Sequence, residues 1–152
     1  MRCCRDRYIN LMGEAKAGLY DAMERLVLAA RPDFAPEVDY MRSHADHYLC
    51  NMFVMPRVQF FEYCEFIFPI LFELVRLNAD EHDVHGVRAP GFLSEFLTSI
   101  YLAHLVREGR LRIKPLRLAC WGIPAHGFLR YVIRSILPDG VRHWLKKRLR
   151  IN

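Results

Sequence analysis

The hydrophobic and polar positions of this chain repeat mostly at helical spacing. From Gly13 to Arg31, apolar residues recur every three or four positions with charged residues between them, which is typical of an amphipathic helix. We expect that helix to end at Pro32, because proline lacks a backbone donor. Residues 37–48 predict a second, weaker helix that is polar and lies at the surface. Residues 1–12 show no clear period and predict an irregular N-terminus.

The strongest helical pattern covers residues 58–77. One side of this helix is apolar and aromatic, and glutamate and arginine side chains occupy the others. Pro69 lies in its middle, where a missing donor and a clash with the preceding turn predict a kink. The side that we expect to be buried is formed by Phe60, Phe61, Cys64, Phe68, Leu71, Phe72 and Val75.

A polar loop over residues 78–90 leads to another amphipathic helix over residues 91–108. Gly109 follows it, and glycine is a common C-terminal stop because it tolerates a left-handed backbone. Two further helices are predicted at residues 127–137 and 141–149, on either side of a short Pro-Asp-Gly turn.

Two short apolar stretches predict strands. Residues 50–55 end at Pro56 and have the length of a buried strand. Residues 111–116 alternate between apolar and other side chains, and Pro115 interrupts them, which indicates an edge strand. The pattern as a whole predicts a predominantly helical fold with one to three short strands and about five to six helices.

The positive charge of the chain is concentrated at its C-terminus. The 152 residues carry a formal net charge of +5, but residues 128–152 hold seven lysines and arginines and one acid, which leaves residues 1–127 at −1. This segment is also amphipathic and contains a tryptophan, which suits an anionic membrane surface. A solvated terminal helix and nonspecific contact with nucleic acid are the alternatives.

The length and composition predict one folded domain in the cytoplasm. Hydrophobic residues make up 53% of the chain, which argues against disorder. Five cysteines without a spacing pattern are typical of reduced intracellular thiols. The first residues include no apolar segment of the kind found in signal peptides, so we expect none. The longest apolar run, residues 66–72, is too short for a membrane span.

Several side chains of metal-binding types occur together in the polar loop, but they do not predict a metal site. All of them belong to one loop, whereas metal sites draw their ligands from rigid, separated elements, so we expect a solvated loop. The three histidines at positions 44, 47 and 104 are interpreted as structural. The loop residues are Asp80, Glu81, His82, Asp83 and His85.

Glu95 is a different kind of candidate. It follows Pro90-Gly91 by about one turn of the predicted helix, where the positive end of the helix dipole favours an ionised carboxylate. It is either an ordinary first-turn acid or a functional group. No phosphate-binding glycine loop and no Gly-x-Ser-x-Gly frame around Ser94 accompany it.

Four short motifs follow one another between residues 51 and 95. They are Asn51-Met52-Phe53-Val54-Met55, Phe61-Glu62-Tyr63-Cys64-Glu65, Ile70-Leu71-Phe72-Glu73-Leu74, and Arg88 followed by Gly91-Phe92-Leu93-Ser94-Glu95. Through their order and spacing, residues 13–118 resemble the C-terminal part of a bacterial family of capsular and exopolysaccharide biosynthesis glycosyltransferases, catalogued as a domain of unknown function.

This resemblance implies an α/β fold of the GT-A type, in which a nucleotide-sugar-binding half precedes a more helical acceptor half. The chain would supply the second half, followed by a basic tail over residues 119–152 at the inner membrane. The reaction implied is transfer of a sugar from a nucleotide-sugar donor to a glycan acceptor. No cofactor is expected in this chain, and a divalent metal would belong to the N-terminal half that it lacks.

The resemblance also implies roles for individual residues. Glu95 would be catalytic, as a base or by orienting an acceptor hydroxyl. Three residues would bind substrate: Asn51, Ser94 and Arg88. Asn51 would lie at the rim of the sugar site, and Arg88 would pair with a phosphate or carboxylate. The family usually has arginine after the glutamate, where this chain has Phe96. The alternative is a catalytically inactive helical remnant or accessory module that binds a protein partner or a membrane.

Overall fold

A computed structural model describes residues 3–48 and 51–114, which are predominantly helical and contain no strand. Short 3-10 turns, Glu14–Lys16 and Pro32–Phe34, lead into the second and third helices. The described residues up to Ile113 form one compact unit. Its helices are α1 (Cys4–Met12), α2 (Ala17–Ala30), α3 (Ala35–Ser43), α4 (Arg57–Leu77), the single-turn α5 (Val84–Val87) and α6 (Ala89–Arg107).

Helix α6 is the centre of this unit. It packs against α4, α3 and α1, and side chains on most of its circumference are buried. A helix that is apolar all round is expected in such a position. Its fully or nearly fully buried side chains include Leu93, Phe96, Leu97, Ile100 and Leu105.

The N-terminus, predicted to be irregular, forms helix α1, so that prediction is wrong. Cys4 and Tyr8 are fully buried, and the Tyr8 ring contacts the rings of Tyr20 and Phe96. The Asp6 carboxylate accepts a hydrogen bond from the backbone amide of Cys3 at 3.1 Å, which caps the helix. The pattern was missed because few residues of this short helix face the core.

The end of α2 at Ala30, before Pro32, agrees with the sequence prediction. Its start does not, because Gly13 has a left-handed backbone with φ of 89° and a 3-10 turn follows it. Helix α3 is shorter than the predicted 37–48 helix, and it lies at the surface with one side facing the core. Its Glu37, Val38 and Met41 are buried.

Helix α4 has nearly the predicted bounds, and Pro69 lies inside it without ending it. The prediction of which side is buried was wrong. Its core side consists of Tyr63, Phe66, Ile67, Ile70 and Leu74. The predicted apolar side faces outward, with Phe60, Phe61, Phe68, Phe72 and Val75 exposed and Cys64 and Leu71 half-buried.

Neither predicted strand is present in the described residues. Residues 51–56 have no regular secondary structure, and Val54 is 99% exposed, although Phe53 packs edge-on against Tyr63 at 5.1 Å between ring centroids. Residues 111–114 are also irregular. A short apolar run cannot form a strand without a neighbouring strand to accept its hydrogen bonds.

The helices predicted at residues 127–137 and 141–149, and with them the basic tail, lie outside the described residues. Within the described part of the chain, no helix combines the length and apolar character needed to cross a bilayer.

Candidate functional site

A hydrogen-bond cluster joins Asn51 to helix α6. The Asn51 side-chain amide donates to Ser94 Oγ, and its oxygen lies 2.7 Å from Thr98 Oγ1. Ser94 Oγ in turn donates to the carbonyl of Gly91 at 2.6 Å. The structure therefore brings together Asn51 and Ser94, two of the four residues predicted to form a site.

Tyr63 of α4 completes this cluster, which sequence reasoning did not anticipate. Its hydroxyl lies 2.8 Å from Thr98 Oγ1, which is also 2.7 Å from the carbonyl of Ser94. The single Thr98 proton serves the Asn51 oxygen or the Ser94 carbonyl, so Tyr63 is the donor to Thr98. The cluster fastens the irregular segment before α4 onto α6.

Glu95 lies next to this cluster on a different face of α6. It is half-buried, and its negative charge acts on His47, whose ring stacks on Phe96 with 4.3 Å between centroids. Burial lowers the pKa of His47, against smaller opposing effects from a hydrogen bond to the carbonyl of Ala45 and from the Glu95 charge. The Glu95 carboxylate thus lies within electrostatic range of the His47 ring.

The expected influence of the helix dipole on Glu95 is not supported. Helix α6 begins at Ala89 and has no acidic residue in its first turn, so Glu95 lies nearly two turns inside it. The dipole effect fades beyond the first turn. If Glu95 is functional, its neighbours rather than the helix end set its chemistry.

A cavity of about 500 Å³ opens one turn beyond Glu95, between α3, residues 46–48 and α6. Ser99 forms part of its wall, and its hydroxyl accepts from the amide of Tyr48 at 2.8 Å and donates to the carbonyl of Glu95 at 2.9 Å. Residues 95, 99 and 106 share one face of α6 because they are four and eleven positions apart. The wall also includes Tyr40, Tyr48, His47 and Ile100.

The cavity has a charged pair at one end. Arg107 Nε donates to Glu37 Oε1 at 2.6 Å, and Glu37 is only 5% exposed. The other oxygen of Glu37 has no hydrogen-bond partner; it lies 3.7 Å from Nδ1 of His104, which accepts from Arg107 at 3.1 Å. The sequence interpretation missed this pair because it placed Glu37 on a polar surface helix.

Arg88 is not a member of the hydrogen-bond cluster around Asn51 and Ser94. It is exposed at the N-terminus of α6, with its guanidinium 5.3 Å from the centre of the Phe92 ring. Among the hydrogen bonds of the described residues, none joins it to Asn51 or Ser94. An anion-binding role for Arg88 therefore stays a prediction.

The polar loop after α4 is organised around Glu81. Its carboxylate pairs with Lys16 and accepts from the backbone amides of His82 and Asp83 at 2.9 and 2.8 Å. The Lys16 ammonium and these amides together lower the pKa of Glu81 to about 2, and the ammonium has the largest effect. Within the described residues, no three side chains of metal-binding type converge on a common point.

The comparisons with known proteins identify one family. No curated protein and no solved structure matches this chain. A family model, described as Domain of unknown function (DUF4422), matches residues 4–107, from the start of α1 to the end of α6. The match includes Asn51, Arg88, Ser94 and Glu95, and it covers well over half of the chain, which therefore belongs to this family of unknown function.

Proposed function

We propose that this chain is all or part of a glycosyltransferase of capsular or exopolysaccharide biosynthesis, which transfers a sugar from a nucleotide-sugar to a glycan acceptor. The motifs at residues 51–55 and 88–95, which carry the resemblance, support a glycosyl transfer reaction. In this proposal the chain provides the acceptor side of the enzyme, and a separate nucleotide-binding half holds the donor and any divalent metal. The enzyme works in the cytoplasm, with the basic residues 128–152 against the inner membrane.

The position of Glu95 is the observation that carries the proposal. It lies beside the hydrogen-bonded Asn51–Ser94–Thr98 cluster and on the same face of α6 as the cavity wall at Ser99. A cavity of this size accommodates a small ligand, and tyrosine rings with carboxylate and hydroxyl groups suit a sugar. An acceptor sugar in the cavity would extend toward Glu95.

Glu95 would act as a general base. Its carboxylate would take the proton from an acceptor hydroxyl while that oxygen attacks the anomeric carbon of the donor. The bond from the anomeric carbon to the donor phosphate then breaks, and the nucleotide leaves with the bonding electrons. The Asn51–Ser94 hydrogen bond would hold the neighbouring segment still, which keeps the acceptor oriented.

The test is a transfer assay on the full chain, alone and with any polypeptide that copurifies with it from its native cell. A panel of nucleotide-sugars is supplied with membrane lipids from that cell, and released nucleotide and labelled glycan are measured. We expect donor-dependent transfer that Glu95→Gln reduces by roughly a hundredfold or more, in the range of a lost general base, with Tm unchanged. Glu108→Gln, at the far end of α6, is the control and should retain activity.

Two results would contradict this proposal. If no donor supports nucleotide release in any preparation, the chain is not this enzyme. If Glu95→Gln lowers Tm in proportion to activity, Glu95 has a structural role.

The exposed aromatic side of α4 favours a second candidate function, that of a helical accessory module which binds a protein or a membrane without catalysis. Phe72 is 69% exposed and Phe61 is 52% exposed, which is unusual for a surface with no binding role. A module of this kind would show no transfer activity but would still bind its partner. The two functions are therefore separated by the transfer assay above.

A further inference from the structure

A row of exposed apolar side chains runs along the outside of α4. Four of its side chains, Phe61, Phe68, Phe72 and Val75, are 52%, 47%, 69% and 54% exposed, and we refer to them as the α4 stripe. They are seven, four and three positions apart, so they form one line about 21 Å long on the helix. The rings of Phe68 and Phe72 stack on each other at 5.9 Å. Exposed apolar surface of this extent marks an interaction site.

Charged side chains border the stripe in a specific arrangement. Glu65 and Arg76 are both exposed, and they are eleven positions apart, which places them on the same edge of the stripe. Arg76 also pairs with Glu73 within α4, so its contact with a second copy would be shared with that pair. Arg57, at the N-terminal end of α4, lies over the Phe61 ring at 5.4 Å. Asp80, which is exposed, follows the C-terminal end of the helix.

This arrangement is complementary to itself when two copies of α4 run in opposite directions. Glu65 and Arg76 are equally far from the midpoint between Ile70 and Leu71, and like edges meet in an antiparallel helix pair. Glu65 of each copy would therefore face Arg76 of the other, and Arg57 would approach Asp80. In a parallel pair opposite edges meet, so Glu65 and Arg76 of one copy would not face these residues of the other and the charge pairing would be lost.

We propose that the α4 stripe is a docking surface for a second copy of this chain, in an antiparallel, two-fold symmetric pair of α4 helices. Phe68 of each copy packs against Phe72 of the other, because these two residues are almost equally far from the midpoint. The same patch serves both copies, as an isologous interface requires. This dimer is independent of the proposed enzymatic function.

The size of the stripe indicates a weak dimer. Each half-exposed phenylalanine offers roughly 100 Å², so the stripe buries on the order of 400 Å² per copy and 800 Å² in total. Stable interfaces start at about 1,200 Å². We therefore expect a monomer–dimer equilibrium with Kd in the micromolar range or above, reached by raising the protein concentration.

Sedimentation of the full chain over a concentration series tests the aromatic contact. We expect reversible dimerisation that Phe72→Glu weakens by roughly tenfold or more, as for the loss of a central aromatic anchor. Leu11→Glu is the matched control, since Leu11 is a 61% exposed apolar residue on α1, and it should dimerise like the wild type. Circular dichroism confirms that both variants are folded. A monomer at every concentration, or equal behaviour of the two variants, overturns the proposal.

A charge exchange tests the antiparallel arrangement. Glu65→Arg alone and Arg76→Glu alone each replace two attractive pairs with two repulsive ones, so each should weaken self-association by roughly threefold to tenfold. An equimolar mixture of the two variants should associate like the wild type, because each arginine of one meets a glutamate of the other. Failure of the mixture to recover overturns the antiparallel pair. Added salt should diminish all of these differences.

Discussion

Arg107, the last residue of α6, donates from Nε to Glu37 Oε1 of α3 at 2.6 Å. The two partners differ in their access to water, since the Arg107 side chain is 43% exposed and that of Glu37 is 5% exposed. Removal of either partner therefore has a different consequence for the one that remains. The pair also fastens α6 to the 3-10 turn before α3, because Arg107 donates to the carbonyl of Asp33 at 2.9 Å.

We expect Arg107→Leu to be more destabilising than Glu37→Leu. The first change leaves a buried carboxylate without its cation and should lower Tm by roughly 5 °C or more. The second removes the buried charge together with an oxygen that has no partner, and should change the free energy of unfolding by less than about 1.5 kcal/mol. Thermal and urea unfolding of both variants provide the comparison. Equal losses would mean that Glu37 has no uncompensated charge when Arg107 is absent.

The hydrogen bonds of Thr98 lead to a second prediction. Thr98→Val keeps the shape of the side chain but removes the group that binds both the Tyr63 hydroxyl and the Asn51 oxygen. Because Tyr63 is nearly buried, we expect a loss of about 1–3 kcal/mol in unfolding free energy. Thr98→Ser, which retains the hydroxyl, is the control.

A double-mutant cycle with Tyr63→Phe separates the shared bond from the individual losses. The double variant should be less destabilised than the sum of the two single variants, since the second change removes the orphaned partner of the first. Simple additivity would show that the two hydroxyl groups do not interact in solution.

The positions of α2, α4 and α6 could largely be predicted from the sequence, because periodicity and proline act locally, whereas α1 could not. Pro32 and Gly109 end their helices as their backbone chemistry requires, and the bounds of α4 follow its pattern closely. The buried side of α4 could not be predicted, since both sides of that helix are apolar. Only packing against α6 and α2 decides which one faces the core.

In the candidate site, too, the short motifs name residues, whereas contacts between residues far apart in the chain become visible only in the structure. The resemblance associated Asn51 with Ser94, and the structure places them in contact. It assigned no role to Tyr63, the fourth member of the cluster, because that residue lies on the core side of α4, which the sequence interpretation did not recognise. The Glu37–Arg107 pair joins residues 70 positions apart, and no local pattern indicates such a contact.

The pairing of Glu81 with Lys16 predicts a dependence of stability on pH. The pKa of Glu81 is lowered from 4.5 to about 2 in the folded protein. Its contribution to the free energy of unfolding is therefore complete at pH values above about 4.5 and is lost as the pH falls toward 2. We expect Glu81→Gln to lower Tm at neutral pH and the difference from wild type to disappear in acid. Tm measured from neutral pH to pH 2 checks this.

Lys16→Met is the complementary variant for this pair. It should remove most of the same pH dependence, because the Lys16 ammonium is the largest cause of the lowered pKa. A Glu81→Gln difference that stayed constant with pH would mean that neither the Lys16 ammonium nor the backbone amides favour the ionised carboxylate in the folded protein.

The aromatic cluster where α1 meets α6 leads to the last prediction. Phe96 contacts the rings of Tyr8 and Tyr20 edge-on, and the hydroxyl groups of both tyrosines are buried without a hydrogen-bond partner. Burial raises the pKa of Tyr20 far above its ordinary value. Tyr20→Phe should therefore leave unfolding free energy unchanged or slightly raised.

Phe96→Ala is the contrasting variant in this cluster. It removes a ring that is 3% exposed, so we expect a loss of about 3–5 kcal/mol from lost burial and the cavity that remains. Urea unfolding of the two variants, each measured against wild type, gives both values. A clear loss of stability in Tyr20→Phe would mean that its hydroxyl finds a partner in solution, such as a buried water. A small loss in Phe96→Ala would mean that α1 moves inward to fill the space.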